Sequence, residues 1–355
     1  MKILSIRSRR LSVPLSQPYA ISSRLISSTE LFVVEIDTDE GVVGLGAGAP
    51  AEEITGESAD AAEAALTDGR LETFEGGNPR RLGGALRLAG DVLSSTPAAH
   101  AAVDMALWDL FARLQGLPLV DVLGRRHQAL PTSVTLGVDS VAETLEQARA
   151  HLKAGFRCLK VKVGRTFDED EERLRRLREA IGQEIRIRID ANEGYSLEET
   201  ARLEPLVKSL DLELVEQPLP ATEVASLHRL PEGLRRLVAV DENLHGPDDA
   251  LALAGDPAPC GIYNIKLMKC GGVTPALSIA SIAELARREL MWGCMDESVI
   301  SIAAALHAAY ACPATRYIDL DGSFDLAEDP AIGGFAVDDG CLRTLDAPGL
   351  GVSLG

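Results

Sequence analysis

Along the middle of the chain, short apolar runs end on charged side chains at a nearly fixed step. The first run is Leu159 to Gly164, in which Lys160 and Lys162 alternate with apolar residues. Side chains alternate across a strand, so the two ammonium groups share one face. Burying two such charges without partners is costly, and a lysine usually reaches water from a strand end. The residues that follow argue for a site instead. Further runs end at Asp190, Glu216, Asp241 and Lys266, at successive spacings of 28, 26, 25 and 25 residues counted from Lys162. A strand, a helix and two loops fill roughly 30 residues in a βαβ unit. Each singled-out residue therefore falls at the C-terminal end of a successive parallel strand. Helical periodicity over 141–154, 168–181, 196–210, 224–230, 248–254, 274–288 and 298–311 supplies the crossovers. Val134-Thr135-Leu136 opens the series. Leu290 to Met295 continues it, with Asp296 and Glu297 at its end, and 316–318 closes it with Asp319 and Asp321.

The first third reads differently. Residues 1–48 alternate as strands, interrupted by a polar, Ser-rich loop over 17–30, and helices follow at 60–66 and 97–114. Trp108 belongs to the broad apolar surface of the second helix and is expected in the core. The predicted architecture is α/β: a modified (β/α)7β barrel of the TIM type over 126–324, preceded by an α+β capping domain over 1–125. The segment 325–355 is expected to return to the cap. In such a barrel the strand ends converge on one face, where active sites are built. Two polar loops of the cap, 17–30 and 49–57, are expected to close over that face as water-excluding lids.

Composition narrows the function. With 355 residues, 46% of them hydrophobic, the chain can bury a large core, and a formal charge of −19 argues against a nucleic-acid partner. No run approaches the 18 or so apolar residues of a membrane span, and no signal-like stretch follows the basic N-terminus. The six cysteines show no CxxC pairing, as in a reduced, cytoplasmic protein. A homo-oligomer is expected. Asp190, Glu216 and Asp241 on adjacent strands form a hard oxygen site suited to Mg²⁺.

Five motifs resemble the enolase superfamily in its muconate-lactonizing subgroup. They are Lys160-Val161-Lys162, Asp190-Ala191-Asn192, Glu216-Gln217-Pro218, Asp241-Glu242-Asn243 and the stretch from Lys266 to Gly272. The resemblance spans nearly the whole chain. It implies Asp190, Glu216 and Asp241 as Mg²⁺ ligands, Lys162 and Lys266 as the two acid/base groups, and Lys160 beside them; Lys269 matches no catalytic position. Removing a proton next to a carboxylate builds an ene-diolate, which a metal and flanking lysines neutralise. A lysine base must be partly neutral near pH 7, so its pKa must fall from about 10.4.

The end of the chain discriminates within the subgroup. Asp319-Leu320-Asp321 looks like the Asp-x-Asp of dipeptide epimerases, which implies that the pair binds the free α-ammonium of a dipeptide whose C-terminal residue is inverted. Thr135 and Glu297 join the substrate-facing set, Glu297 as a support for Lys266. N-Succinylamino acid racemase, o-succinylbenzoate synthase and muconate cycloisomerase are the competing subgroup activities, and a barrel that only binds a carboxylated ligand is the non-enzyme alternative. For the choice of dipeptide, Asp296, Glu52 and Glu53 favour a cationic side chain. The resemblance to Ala-Glu-specific members implies an arginine in the first lid that pairs with the glutamate side chain; Arg24 falls at or near that position and favours the competing L-Ala-D/L-Glu activity.

Overall fold

The computed structural model describes residues 1–20 and 25–355, with residues 17–20 and 25 described by their backbone alone. The chain opens with an antiparallel sheet of β1 (Ile3–Ala20), β2 (Leu25–Thr38) and β3 (Val43–Gly48). β1 and β2 form one long ribbon, Leu11 facing Leu31 and Val13 facing Thr29, with an irregularity between Pro14 and Tyr19 before Tyr19 meets Ile26. The segment read as a loop over 17–30 is therefore mostly strand. A ribbon needs no apolar alternation to close its ladder, so backbone pairing overrides the weak preferences of the serines.

On β3, Gly44, Gly46 and Gly48 face the helix Pro97–Gln115. A Cβ at Gly46 would stand 1.9 Å from the Ala102 carbonyl oxygen, so strand and helix meet backbone to backbone. Trp108 is only partly buried, and its indole N–H donates to Thr274 Oγ1 at 2.9 Å. The helix Leu82–Leu93 was not predicted. Its glycines at 83, 84 and 90 depress helix propensity, yet it buries Leu82, Leu86, Ala89 and Leu93 along one face.

After the short β4 (Leu130–Pro131), eight parallel strands follow in sequence order: β5 (Val134–Leu136), β6 (Cys158–Lys162), β7 (Arg186–Asp190), β8 (Leu212–Glu216), β9 (Val238–Val240), β10 (Ile262–Ile265), β11 (Glu289–Trp292) and β12 (Thr315–Ile318). The sheet curls until its ends meet, through a bridge between Thr132 and Ile318 and a hydrogen bond from Ser133 N to Ile318 O at 3.2 Å. Helices make the crossovers. The fourth, expected as an α-helix over 224–230, is instead a 3₁₀ helix over Ala221–Arg229, bracketed by Pro218, Pro220 and Pro231 that withhold backbone donors.

The tail is tied to the cap helix. Asp109, fully buried, accepts from Leu45 N at 2.8 Å, from Leu350 N at 2.7 Å and from Arg113 Nε at 2.7 Å. One carboxylate thus holds β3, the helix and the tail together. All six cysteines are free thiols. Among the described residues no helix is long and apolar enough to cross a membrane.

Candidate active site

The strand register sets the site. Lys162, Asp190 and Glu216 are cross-strand neighbours at the ends of β6, β7 and β8. Asp241 and Lys266 stand one residue past β9 and β10. The lysines thus bracket a row of three carboxylates.

Lys160 sits under this row. Its ammonium lies 3.0 Å from Asp190, 2.8 Å from Glu216 and 2.9 Å from Asp319, and its side chain is 5% exposed. Burial opposes its charge, but Asp190, Asp319 and Glu216 outweigh burial and hold its pKa well above the ordinary value. Lys162 is more open, at 29% side-chain exposure, and donates to Asp190 Oδ2 and Asn192 Oδ1, both at 2.7 Å. Lys266 donates to Asp241 Oδ2 at 2.7 Å. Burial again works against the charge, and Asp241 and Glu216 overcome it, so the Lys266 pKa is raised. This differs from the fall expected of a lysine base. The cause is the direct ion pair with Asp241.

Asp190 and Asp241 are held below the ordinary carboxylate value: burial would raise them, but Lys160 and Lys162, and Lys266 and Lys269, prevail. Glu216 moves the other way, to about 7, through burial and the neighbouring Asp190. As the side chains stand, no three His, Cys, Asp or Glu groups among the described residues converge on a common point for a metal. Each carboxylate is turned towards an ammonium group. The donor set nevertheless fits a divalent ion: three buried carboxylates on neighbouring strand ends, with positive charge insufficient to keep Glu216 low.

Asp319 and Asp321, both buried, lie just past β12. Asp319 faces Lys160 and also accepts from Ser133 Oγ at 2.5 Å. Asp321 Oδ2 accepts from Thr135 N at 2.9 Å and Thr135 Oγ1 at 3.0 Å. Burial, with Asp319 and Asp325 nearby, pushes Asp321 up to about 7, as in a pocket short of positive charge. Glu297 is buried and accepts from Met295 N at 3.0 Å, while the Lys266 charge acts on it electrostatically. Asp296 is half-buried, and its carbonyl accepts from Thr29 Oγ1 at 3.2 Å, which ties β2 to the barrel mouth. Glu52 and Glu53 are exposed on the one-turn helix Glu52–Thr55, where a plain loop was expected. That turn packs on the helix Leu267–Cys270, directly after Lys266. Arg24 lies outside the described residues.

Several site residues escaped the sequence reading. Lys269 bonds both the carboxylate and the carbonyl of Asp241; its signal was the i,i+3 spacing from Lys266 on one helical face. Asn264 donates to Glu216 Oε1 at 2.8 Å, and its signal was the strand alternation that aligns it with Lys266. Asn192 joins Lys162 to Glu242, accepting from the first at 2.7 Å and donating to the second at 3.2 Å.

With this fold and site, the chain belongs to the mandelate racemase/muconate lactonizing enzyme family of the enolase superfamily. Residues 5–124 match "Mandelate racemase / muconate lactonizing enzyme, N-terminal domain", and residues 143–355 match "Enolase C-terminal domain-like". The chain is 53% identical over 352 residues to an L-Lys-D/L-Arg epimerase of Methylococcus capsulatus, covering 99% of each chain. It is 48% identical, with the same coverage, to an L-Lys-D/L-Arg epimerase of Desulforapulum autotrophicum. Among solved structures it superimposes with a TM-score of 0.97 on the Methylococcus capsulatus dipeptide epimerase complexed with Mg and the dipeptide L-Arg-D-Lys, at 53% identity and 99% coverage of each chain.

Proposed function

We propose that this protein is a Mg²⁺-dependent dipeptide epimerase that inverts the α-carbon of the C-terminal residue and prefers cationic dipeptides. The observation that carries the reading is the bracket of Lys162 and Lys266 around Asp190, Glu216 and Asp241. Two lysines on opposite sides of one α-carbon allow removal of its proton from one face and return on the other. Each is paired with a carboxylate here, so Lys162 must leave Asp190, and Lys266 must leave Asp241, before either takes a proton. Lys160, enclosed by three carboxylates, stays charged and serves by its field rather than as a base. Mg²⁺, held by Asp190, Glu216 and Asp241, supplies when bound the charge that stabilises the ene-diolate. Asp321 is suited to the α-ammonium because only the weak Cys294 thiol donor, at 3.8 Å, meets its Oδ1, and no ammonium or guanidinium group among the described residues bonds it.

The cationic preference rests on two supports. The relatives at 53% and 48% identity act on Lys and Arg dipeptides. In this chain, Asp296 adds a carboxylate at the mouth of a molecule whose net charge is −19. Incubating a dipeptide library in D₂O and following deuterium at the C-terminal α-carbon tests the whole reading. Exchange in Lys- and Arg-containing dipeptides is expected. Binding without any exchange would leave only a ligand-binding barrel.

A further inference from the structure

Below the lysines, the barrel interior holds a further buried cation. Arg188 precedes Asp190 by two residues on β7 and so points inward with it. It is 1% exposed. Its Nε donates to Glu213 Oε2 at 2.9 Å, and its Nη1 donates to Ser133 Oγ at 3.0 Å and Ile318 O at 2.7 Å. Its guanidinium carbon lies 5.2 Å from the Tyr317 ring centre. Ser133, having accepted from Arg188, donates onward to Asp319 at 2.5 Å. Asp319 meets Lys160 with its other oxygen at 2.9 Å. A column of alternating charge thus rises through the barrel: Glu213, Arg188, Asp319, Lys160, then Asp190 and Glu216.

The column separates two aspartates that the sequence presents as a pair. Both oxygens of Asp319 are engaged from below and from the side. Asp321 stands outside the column. Its Oδ2 is filled by Thr135, while Oδ1 has the Cys294 thiol at 3.8 Å. A hydroxyl that accepts from a guanidinium becomes a stronger donor to a carboxylate, so Ser133 passes the Arg188 charge on to Asp319. A buried guanidinium is expensive unless its hydrogen bonds are used, and here one of them runs through Ser133 to the carboxylate that faces Lys160.

We propose that Arg188 and Ser133 are positioning residues that lock Asp319 onto Lys160, leaving Asp321 to receive the α-ammonium. This rests on the dipeptide epimerase reading above. The two aspartates then affect different kinetic constants. Asp319 governs turnover through the placement of Lys160, and Asp321 governs substrate capture.

Steady-state epimerisation of L-Ala-L-Lys by the full-length, Mg²⁺-supplied enzyme tests this. Ser133→Ala is the main variant, because truncating Arg188 would strand Glu213 and Asp319 and risks misfolding. Ser133→Ala is expected to lower kcat about tenfold, the loss of one hydrogen bond to a charged group, with KM within about twofold of wild type. Asp321→Asn is expected to raise KM about tenfold or more. In an Asp319→Asn background, Ser133→Ala should change kcat by less than about twofold, since its route to Lys160 is already cut. Fully additive effects of Ser133→Ala and Asp319→Asn would overturn the relay. A rise in KM with unchanged kcat in Ser133→Ala would overturn it too, by making Asp319 an ammonium ligand. A wild-type enzyme that epimerises no dipeptide would instead sink the functional reading on which the relay depends.

Discussion

Lys162 and Lys266 make the two-base reading directly testable. Replacing either by Ala should abolish net epimerisation, a loss of at least about 10²-fold to 10⁴-fold for a positioned acid/base group. Each single variant should still exchange deuterium with one substrate isomer, because one face keeps its base. Mass spectrometry of the recovered dipeptide measures this, and near wild-type epimerisation by Lys266→Ala would disprove the two-base mechanism. The lysines and carboxylates were legible because each ends an apolar strand, where a charge stands out against its neighbours. Ser133, Arg188 and Asn264 were not. Ser133 lies just before β5, and Arg188 and Asn264 lie within strands; each is a single polar residue whose partner is far along the chain, 186, 130 and 48 residues away for Asp319, Ile318 and Glu216 respectively. The separate environments of Asp319 and Asp321 were hidden for the same reason: an i,i+2 spacing gives the face but not what waits on it.

Two polar side chains of the cap hold elements together, one across to the barrel mouth and one within the cap itself. The first is Thr29 on β2, whose hydroxyl meets the Asp296 carbonyl. Thr29→Val should leave Tm within a few degrees while weakening kcat/KM for Lys dipeptides several-fold, read from paired melting and kinetic assays. The second is Glu57, at the end of the turn that carries Glu52 and Glu53. It is buried and accepts from Ala98 N at 2.6 Å and Ala99 N at 3.3 Å, at the start of the helix Pro97–Gln115. Burial outweighs these two donors and pushes its pKa from 4.5 up to about 7. The folded protein therefore binds more proton than the unfolded chain between those values, and this group's contribution to stability declines as pH rises through that window. Glu57→Gln removes the dependence. Relative to wild type it should gain stability between pH 5 and pH 8, at most about 3 kcal/mol, and equal wild-type and variant melting shifts across that range would refute the assignment. Long helices with clear end signals, such as Pro97–Gln115 with its leading proline and the Gly116 that follows it, were read from sequence nearly to their ends. The ribbon of β1 and β2 was not, because its order comes from a partner strand rather than from its own pattern.

At the scale of the whole molecule, metal and charge decide activity. Exhaustive chelation should remove all turnover and added Mg²⁺ should restore it, whereas full activity after chelation would rule out the three-carboxylate assignment. In a panel of L-Ala-L-Lys, L-Ala-L-Phe and L-Ala-L-Glu, kcat/KM should fall in that order. Raising the salt from 0.05 to 0.5 M should narrow the gap, since surface charges are screened over roughly 10 Å or less. The order of the parallel strands was readable because the crossovers have nearly constant length, whereas the curl that brings Thr132 beside Ile318 depends on contacts across the whole domain. The backbone contact at Gly46 has a mechanical consequence. With no side chain between β3 and the helix Pro97–Gln115, the joint acts as a weld and not as a hinge. The cap cannot admit substrate by sliding these two elements past each other. Amide protons along Val43–Gly48 should therefore exchange with solvent only when the entire molecule opens, even while the enzyme is turning over.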